Sequence, residues 1–368
     1  MKLTVLQENL KNAVSLTSHF ISLKAQLPIL SNILLKTDKS RLILQATNLE
    51  TSISTSIGAK IETEGEITIN GKVFNDLISN LSSGQIELEV EKESIKITAG
   101  TFKSNVLGSN TSDFPTLPDN VGKDSFKLNT KEFTNALSKT LFAVSSDETR
   151  PILTGVLFVF KGNTLYLVST DGFRLTEIQL KTKIEIPDLK IIVPKTILNE
   201  VSKLTDSEDL EVSFDKDNNQ IIFKIEDTIL SSRIIEGEFP EYQKIIPTSS
   251  ICNLTVDKQD LEKAIKLASV FARDSGNIVR FTVKENYLKV KAESSNAGNQ
   301  EMEIEVKTED LKQEEIEIMF NFRFLEEFLK IVVSDEVQIQ ISDNNKASKF
   351  LDSKTSNLLH IIMPIKTT

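Results

Sequence analysis

Few residues in this chain could do chemistry. Among 368 residues the only histidines are His19 and His360, and the only cysteine is Cys252. Without a Cys or His cluster there is no transition-metal site to assemble. Both histidines sit among apolar neighbours and read as structural. The run Gly65-Glu66-Ile67-Thr68-Ile69-Asn70-Gly71-Lys72-Val73 puts five residues between its glycines and no Ser or Thr after Lys72, so it fails as a phosphate loop. Acidic neighbours such as Glu326 and Glu327 share a helical pattern with basic residues and read as solvated surface. The most distinctive run is Leu165-Tyr166-Leu167-Val168-Ser169-Thr170-Asp171-Gly172-Phe173-Arg174-Leu175. Asp-Gly between alternating apolar strands is a hairpin turn. The turn explains Asp171 and Gly172 but leaves Phe173, Arg174 and Leu175 needing another reason.

The elements that position this run come in repeats. Pro28-Ile29-Leu30-Ser31-Asn32-Ile33-Leu34 returns as Pro151-Ile152-Leu153-Thr154-Gly155-Val156-Leu157, and Leu44-Gln45-Ala46-Thr47-Asn48 as Leu167-Val168-Ser169-Thr170-Asp171, both at an offset of 123. Upstream, Leu10 to Val14 matches Phe133 to Leu137; downstream, Lys72, Phe74, Ile78 and Leu81 match Lys195, Ile197, Val201 and Leu204. A fainter third copy follows at a further 128, with Leu261 to Ile265 and then Arg323, Leu325, Leu329 and Val332. Three domains are expected, 1–122, 123–248 and 249–368, with joints after Phe114-Pro115-Thr116-Leu117-Pro118 and after Phe239-Pro240-Glu241-Tyr242. Apolar spacing predicts two helices per domain, over 7–20, 72–82, 131–143, 195–204, 258–273 and 322–332. Alternating runs such as Ser40 to Gln45, Gln85 to Val90 and Asp209 to Phe214 predict half-buried antiparallel strands. The fold class is α+β, with helices packed on one face of antiparallel sheet.

Composition agrees with a multidomain globular chain: 39% hydrophobic and 26% charged residues leave enough apolar surface for several cores. One cysteine excludes intramolecular disulfides and suits a reducing cytosol. Met1 to Glu8 enter an amphipathic pattern without a signal core, so a cytoplasmic protein with no membrane contact is expected. The net charge of −10 opposes tight phosphate binding, yet it is segregated: the six predicted helical spans sum to +4 and the remainder to −14.

Several segments in fixed order carry a resemblance. They are Leu27-Pro28-Ile29-Leu30, Thr149-Arg150-Pro151-Ile152-Leu153-Thr154-Gly155-Val156-Leu157-Phe158, Ser169 to Leu175, Gly237-Glu238-Phe239-Pro240-Glu241-Tyr242, Phe320-Asn321 and Ile361-Ile362-Met363-Pro364-Ile365. In order and spacing, over the whole length, the chain resembles the beta sliding clamps of bacterial DNA polymerase III. The resemblance implies three similar domains per chain closing head to tail into a homodimeric ring, the DNA clamp fold, with helices lining the hole.

Carried over by position, the resemblance implies a peptide-binding pocket of Arg150, Leu153, Thr170, Gly172, Phe173, Arg174, Leu175, Pro240, Ile245, Asn321, Phe324, Ile361, Met363, Pro364 and Ile365. Its mostly apolar lining suits capture of a short linear segment. The chain departs from the family at Phe173, often histidine there, and in the tail Lys366-Thr367-Thr368. Candidate DNA-binding residues are Lys24, by resemblance, and Lys72, Lys195, Lys203, Lys266 and Arg273, by helix placement. The resemblance also sets Val106 against Val270 and Phe271 across a dimer interface. It implies a processivity factor without catalytic residues, metal or cofactor. Its partners would be double-stranded DNA held independently of sequence, the replicative DNA polymerase, a clamp loader, and other polymerases and repair or initiation proteins with linear motifs. Two alternatives are a three-domain peptide-binding scaffold that does not encircle DNA, distinguished by a monomeric mass, and an enzyme with a divergent site, distinguished by turnover.

Overall fold

One order of elements recurs three times because one pattern of apolar residues does. The chain is described by a computed structural model covering residues 1–22, 27–122, 125–204 and 208–366, with the side chains of 183–187 set aside. The first repeat runs β1 (Lys2–Leu6), α1 (Gln7–Ser18), β2 (Asn32–Asp38), β3 (Arg41–Thr47), β4 (Thr51–Gly58), β5 (Lys60–Thr63), β6 (Glu66–Asn70), α2 (Gly71–Asn80), β7 (Gln85–Glu91), β8 (Ser94–Ala99) and β9 (Phe102–Ser109). The second runs β10 (Phe126–Asn129), α3 (Thr130–Ser138), β11 (Gly155–Thr170), β12 (Arg174–Pro194), α4 (Lys195–Val201), β13 (Asp209–Asp215), β14 (Gln220–Ile225) and β15 (Thr228–Arg233). Here β11 spans the length of β2 and β3 of the first repeat, and β12 that of β4, β5 and β6. The third runs β16 (Cys252–Asp257), α5 (Lys258–Ala272), β17 (Ile278–Lys284), β18 (Tyr287–Ser294), β19 (Gly298–Glu309), β20 (Ile316–Asn321), α6 (Phe322–Ile331), β21 (Glu336–Ile341), β22 (Ser348–Asp352) and β23 (Leu358–Ile362).

Three of the helices, α2, α5 and α6, begin where a side chain takes the place of a missing backbone acceptor. Asn70 accepts from the Val73 amide, Asp257 from Gln259 and Asp260, and Asn321 from Arg323. The third helix stops sooner than its pattern predicts: the Thr140 hydroxyl turns back onto the Ala136 carbonyl, and the chain passes into a 3-10 turn at Leu141–Ala143. Gly71 starts α2 because a side chain there would meet Ile21 and Ile33 at 3.0–3.1 Å. Among the described residues no helix is long and apolar enough to cross a membrane.

By contacts the chain gathers into two compact units, Met1–Thr130 with Lys203–Ile234, and Lys131–Ser202 with Ile235–Thr368. These cut across the repeats because sheet pairing runs from one repeat into the next. In the first unit a thirteen-stranded sheet joins the first repeat to the second through β4 and β15, with Thr51 opposite Ser232 and Ser52 opposite Ser231. In the second unit a ten-stranded sheet joins the second repeat to the third through β12 and β23, with Arg174 opposite Ile362 and Leu175 opposite Ile361. In the first unit α1 and α2 lie side by side; in the second, α5 and α6 do so, with α5 against β17 to β19. Beneath α6, Phe281, Phe320, Phe350 and Phe328 meet edge to face at 5.5, 5.5 and 5.8 Å.

Candidate peptide-docking site

The site is built on the turn between β11 and β12, within the second unit. The Thr170 hydroxyl donates to the Arg174 carbonyl at 2.6 Å and accepts from the Gly172 amide at 3.0 Å. Asp171 Oδ1 accepts from the amides of Phe173 and Arg174 at 2.9 and 3.0 Å. The turn takes Gly172 to φ +94°, where a side chain is strained. It leaves Phe173 60% exposed at its tip.

The neighbouring strand completes the candidate site. After β23 pairs with β12, the Met363 amide donates to the Phe173 carbonyl at 2.8 Å, so the two segments stay in register past the last sheet pair. Leu175 and Ile361 are buried in an apolar cluster with Leu157, Val168, Ile192 and Tyr242, against which Phe239, Ile246 and Met363 pack half-buried. This cluster is the floor. Tyr242 holds the Phe239–Ile246 segment onto it; burial and a hydrogen bond with Glu177 push its phenol well above the usual tyrosine range. Pro240 and Ile245 stand exposed on the same segment. Pro364 is buried, and the half-buried Ile365 donates its amide to the Met319 carbonyl at 2.8 Å.

Polar groups line one side. Arg150 donates from Nε to Asp147 at 2.9 Å and from Nη2 to the Asp171 carbonyl at 3.3 Å, and its side chain stays 44% exposed. Leu153, in the next turn, is buried. Arg174 is buried at 7% exposure, its guanidinium 4.6 Å from the Phe324 ring and 5.2 Å from Phe142. Glu327 pairs with it at 2.6 Å, so the reading of Glu327 as solvated surface is corrected. Asn321 caps α6, and Phe324 packs on the core of the third repeat. Residue spacing did not reveal Phe142, Glu327, Glu177 or the role of Tyr242, because each acts through a partner remote in sequence.

The proposed DNA contacts are spread over both units. Lys24 lies outside the described residues. Lys72 is exposed on α2, Lys203 just beyond α4, and Lys266 and Arg273 on and after α5. Lys195, first in α4, is half-buried; burial lowers its basicity, opposed by the charge of Glu327. Val270 is 59% exposed on α5 beside the half-buried Phe271. Val106 on β9 is 9% exposed, and its neighbour Leu107 is 80% exposed. One step along a strand reverses the side chain's face.

His360 is fully buried, stacked on Phe328 at 4.9 Å and hydrogen-bonded through Nδ1 to the Thr176 hydroxyl at 2.7 Å. Burial and the charge of Arg174 push it down to about 3. His19, by contrast, is exposed. Burial pushes the Cys252 thiol up to about 11, which favours the unreactive form. Among the described residues no group of His, Cys, Asp and Glu could hold a metal ion.

Comparison with known proteins covers the chain from end to end. Family models for the DNA polymerase III beta subunit match its N-terminal domain at 1–118, its central domain at 127–241 and its C-terminal domain at 243–366. The beta sliding clamp of Synechocystis sp. is 30% identical, covering 100% of this chain and 99% of that protein. The DNA polymerase III beta subunit of Thermotoga maritima superposes with a TM-score of 0.92 at 25% identity, over 100% of each chain. A Pseudomonas aeruginosa sliding clamp bound to griselimycin superposes at 0.93 with 23% identity, also over 100% of each. The chain belongs to the family of DNA polymerase III beta subunits, the bacterial beta sliding clamps.

Proposed function

We propose that two copies of this chain close head to tail into a ring around duplex DNA and tether the replicative polymerase through the groove at Phe173 and Met363. The observation that carries this is the apolar cluster where β12 meets β23, with Phe173 exposed beside it, in a chain that matches the clamp family along its whole length. The three domains are 1–122, 123–248 and 249–368. Tethering raises the local concentration of the polymerase at its template without a chemical step, so the chain acts without catalytic residues. A loader opens the ring, and other polymerases and repair or initiation proteins compete for the groove. The setting is the cytoplasm.

Inside the ring, Lys24, Lys72, Lys195, Lys203, Lys266 and Arg273 make weak, salt-sensitive contacts to phosphates that permit sliding. Between protomers, Val106 of β9, with the exposed Leu107 beside it, meets Val270 and Phe271 by a heterologous contact that closes. Griselimycin, bound by the Pseudomonas aeruginosa clamp, serves here as a probe of the groove.

The test is retention on nicked circular DNA after loading by a clamp loader, before and after the circle is cut. The ring reading expects retention on circles and loss from linear ends. Equal retention on both would mean ordinary binding, and a monomer that never loads would return the scaffold reading.

A further inference from the structure

We propose that Glu327 of α6 is a positioning residue for the groove, acting through Arg174; the inference rests on the docking role proposed above. Arg174 is closed in on every side. Its Nε donates to Asp171 Oδ2 at 3.1 Å, its Nη2 to the Phe142 carbonyl at 2.8 Å, and its Nη1 pairs with Glu327 Oε2 at 2.6 Å. Phe142 and Phe324 lie against the guanidinium at 5.2 and 4.6 Å. At 7% exposure, with Nε and Nη2 hydrogen-bonded and the buried Nη1 held by the charge of Glu327 without an aligned hydrogen bond, Arg174 presents little of its charge to a ligand. Arg150, 44% exposed, is the cation that faces outward.

What Arg174 does instead is hold the turn. Asp171 uses one carboxylate oxygen to accept from the amides of Phe173 and Arg174, and its other oxygen is fixed by Arg174. The chain of support runs from Glu327 to Arg174, to Asp171, to the exposed Phe173. A buried guanidinium deprived of one of two carboxylates draws harder on the other, and the turn shifts with Asp171. Glu327 is 39% exposed, so water screens part of its charge, and the effect is moderate. Lys195 also faces Glu327, competing for the same carboxylate.

The test is a double-mutant cycle on the full-length protein with griselimycin as the probe. Glu327→Gln should weaken binding about tenfold, and Glu327→Asp, which keeps the charge, should recover most of it. Because Glu327 acts through Arg174, Glu327→Gln in an Arg174→Gln background should weaken binding no further. If Arg174→Gln does not fold, Arg174→Met, which removes the charge and keeps much of the apolar volume, replaces it in the cycle. Wild-type affinity in Glu327→Gln, or effects that multiply in the double variant, would overturn the proposal. Phe173→Glu separates the two claims: if it loses affinity while Glu327→Gln does not, only the positioning role fails. If Phe173→Glu also binds like wild type, the groove is not the site and both fail.

Discussion

The joint between the first and second repeats and the joint between the second and third share one backbone and differ in what it carries. At the first, Thr47 accepts from the Leu49 amide and donates to Thr51, and Asn48 accepts from the amides of Glu50 and Thr51. At the second, Thr170 and Asp171 make the same four bonds to Gly172, Phe173 and Arg174. Both turns pass through positive φ at the same place, +75° at Leu49 and +94° at Gly172. Even the bond beyond the sheet is repeated: Arg233 to the Glu50 carbonyl at 2.9 Å, Met363 to the Phe173 carbonyl at 2.8 Å. The side chains are exchanged throughout. Glu50 and Arg233 stand where the second joint has Phe173 and Met363, and a buried pair of hydroxyls, Ser52 and Ser231 at 2.6 Å, stands where it has Leu175 and Ile361. On the function proposed above, the shared backbone serves the fold, and docking of an apolar segment is the task of a handful of side chains placed on one copy of it.

The largest expected effect comes from writing the first joint's exposed pair into the second. Phe173→Glu with Met363→Arg should lower griselimycin affinity at least about a hundredfold, as loss of a central anchor does. A titration checks this; the melting temperature should fall only modestly, since Phe173 is exposed and the half-buried Met363 is the one of the two that packs on the apolar cluster.

A second difference is ionisable. His360 occupies the place of Leu230 in the first joint, and burial with the charge of Arg174 holds it at about 3 against 6.5 for a free imidazole. The unfolded chain takes the proton first, so stability is whole above pH 6.5 and falls as pH drops toward 3, by about 2 kcal/mol at pH 5. Asp352 adds its own loss only below 3.8: burial would raise its carboxyl, but bonds from Val333, Ser334, Thr355 and Lys354 bring it down to about 2. In urea titrations across pH, His360→Leu should flatten the limb between 6.5 and 4 and leave the steeper acid limb.

The two turns themselves should respond oppositely. Gly172→Ala places a Cβ at positive φ and 3.1 Å from Arg150 Nη1, costing about 1–2 kcal/mol. Leu49→Gly relieves strain at the matching position and should cost nothing, or gain up to about 1 kcal/mol. Urea midpoints compare the pair. Smallest of all is the hydroxyl pair: Ser52→Ala alone should cost about 1 kcal/mol by stranding Ser231, and the double Ser52→Ala, Ser231→Ala should be near neutral.

Much of this was legible in the residues. Periodicity located all six helices because each buries one face, and the constant offset exposed the repeat because one fold needs the same apolar positions each time. The resemblance pointed to Leu175, Ile361 and Met363, and the fold gathers the three into one apolar cluster. What periodicity could not reveal were partners far apart in sequence: Glu327 looked like any surface carboxylate until β12 and α6 met at Arg174. Val106 and Leu107 look alike in a sequence, and only the strand's facing separates them. His19 and His360 also share apolar surroundings in sequence, yet one caps a helix in the open and the other is sealed beneath aromatic rings.

Primer extension on nicked circles with the cognate polymerase and loader tests the central claim most directly, comparing wild type with Phe173→Glu, Met363→Arg. The account expects the variant to remain on the circles as wild type does, yet to give only the short products seen without any clamp. Long products from the variant would contradict the assignment of docking to the second joint, and loss of the variant from circles would contradict the separation of ring from groove.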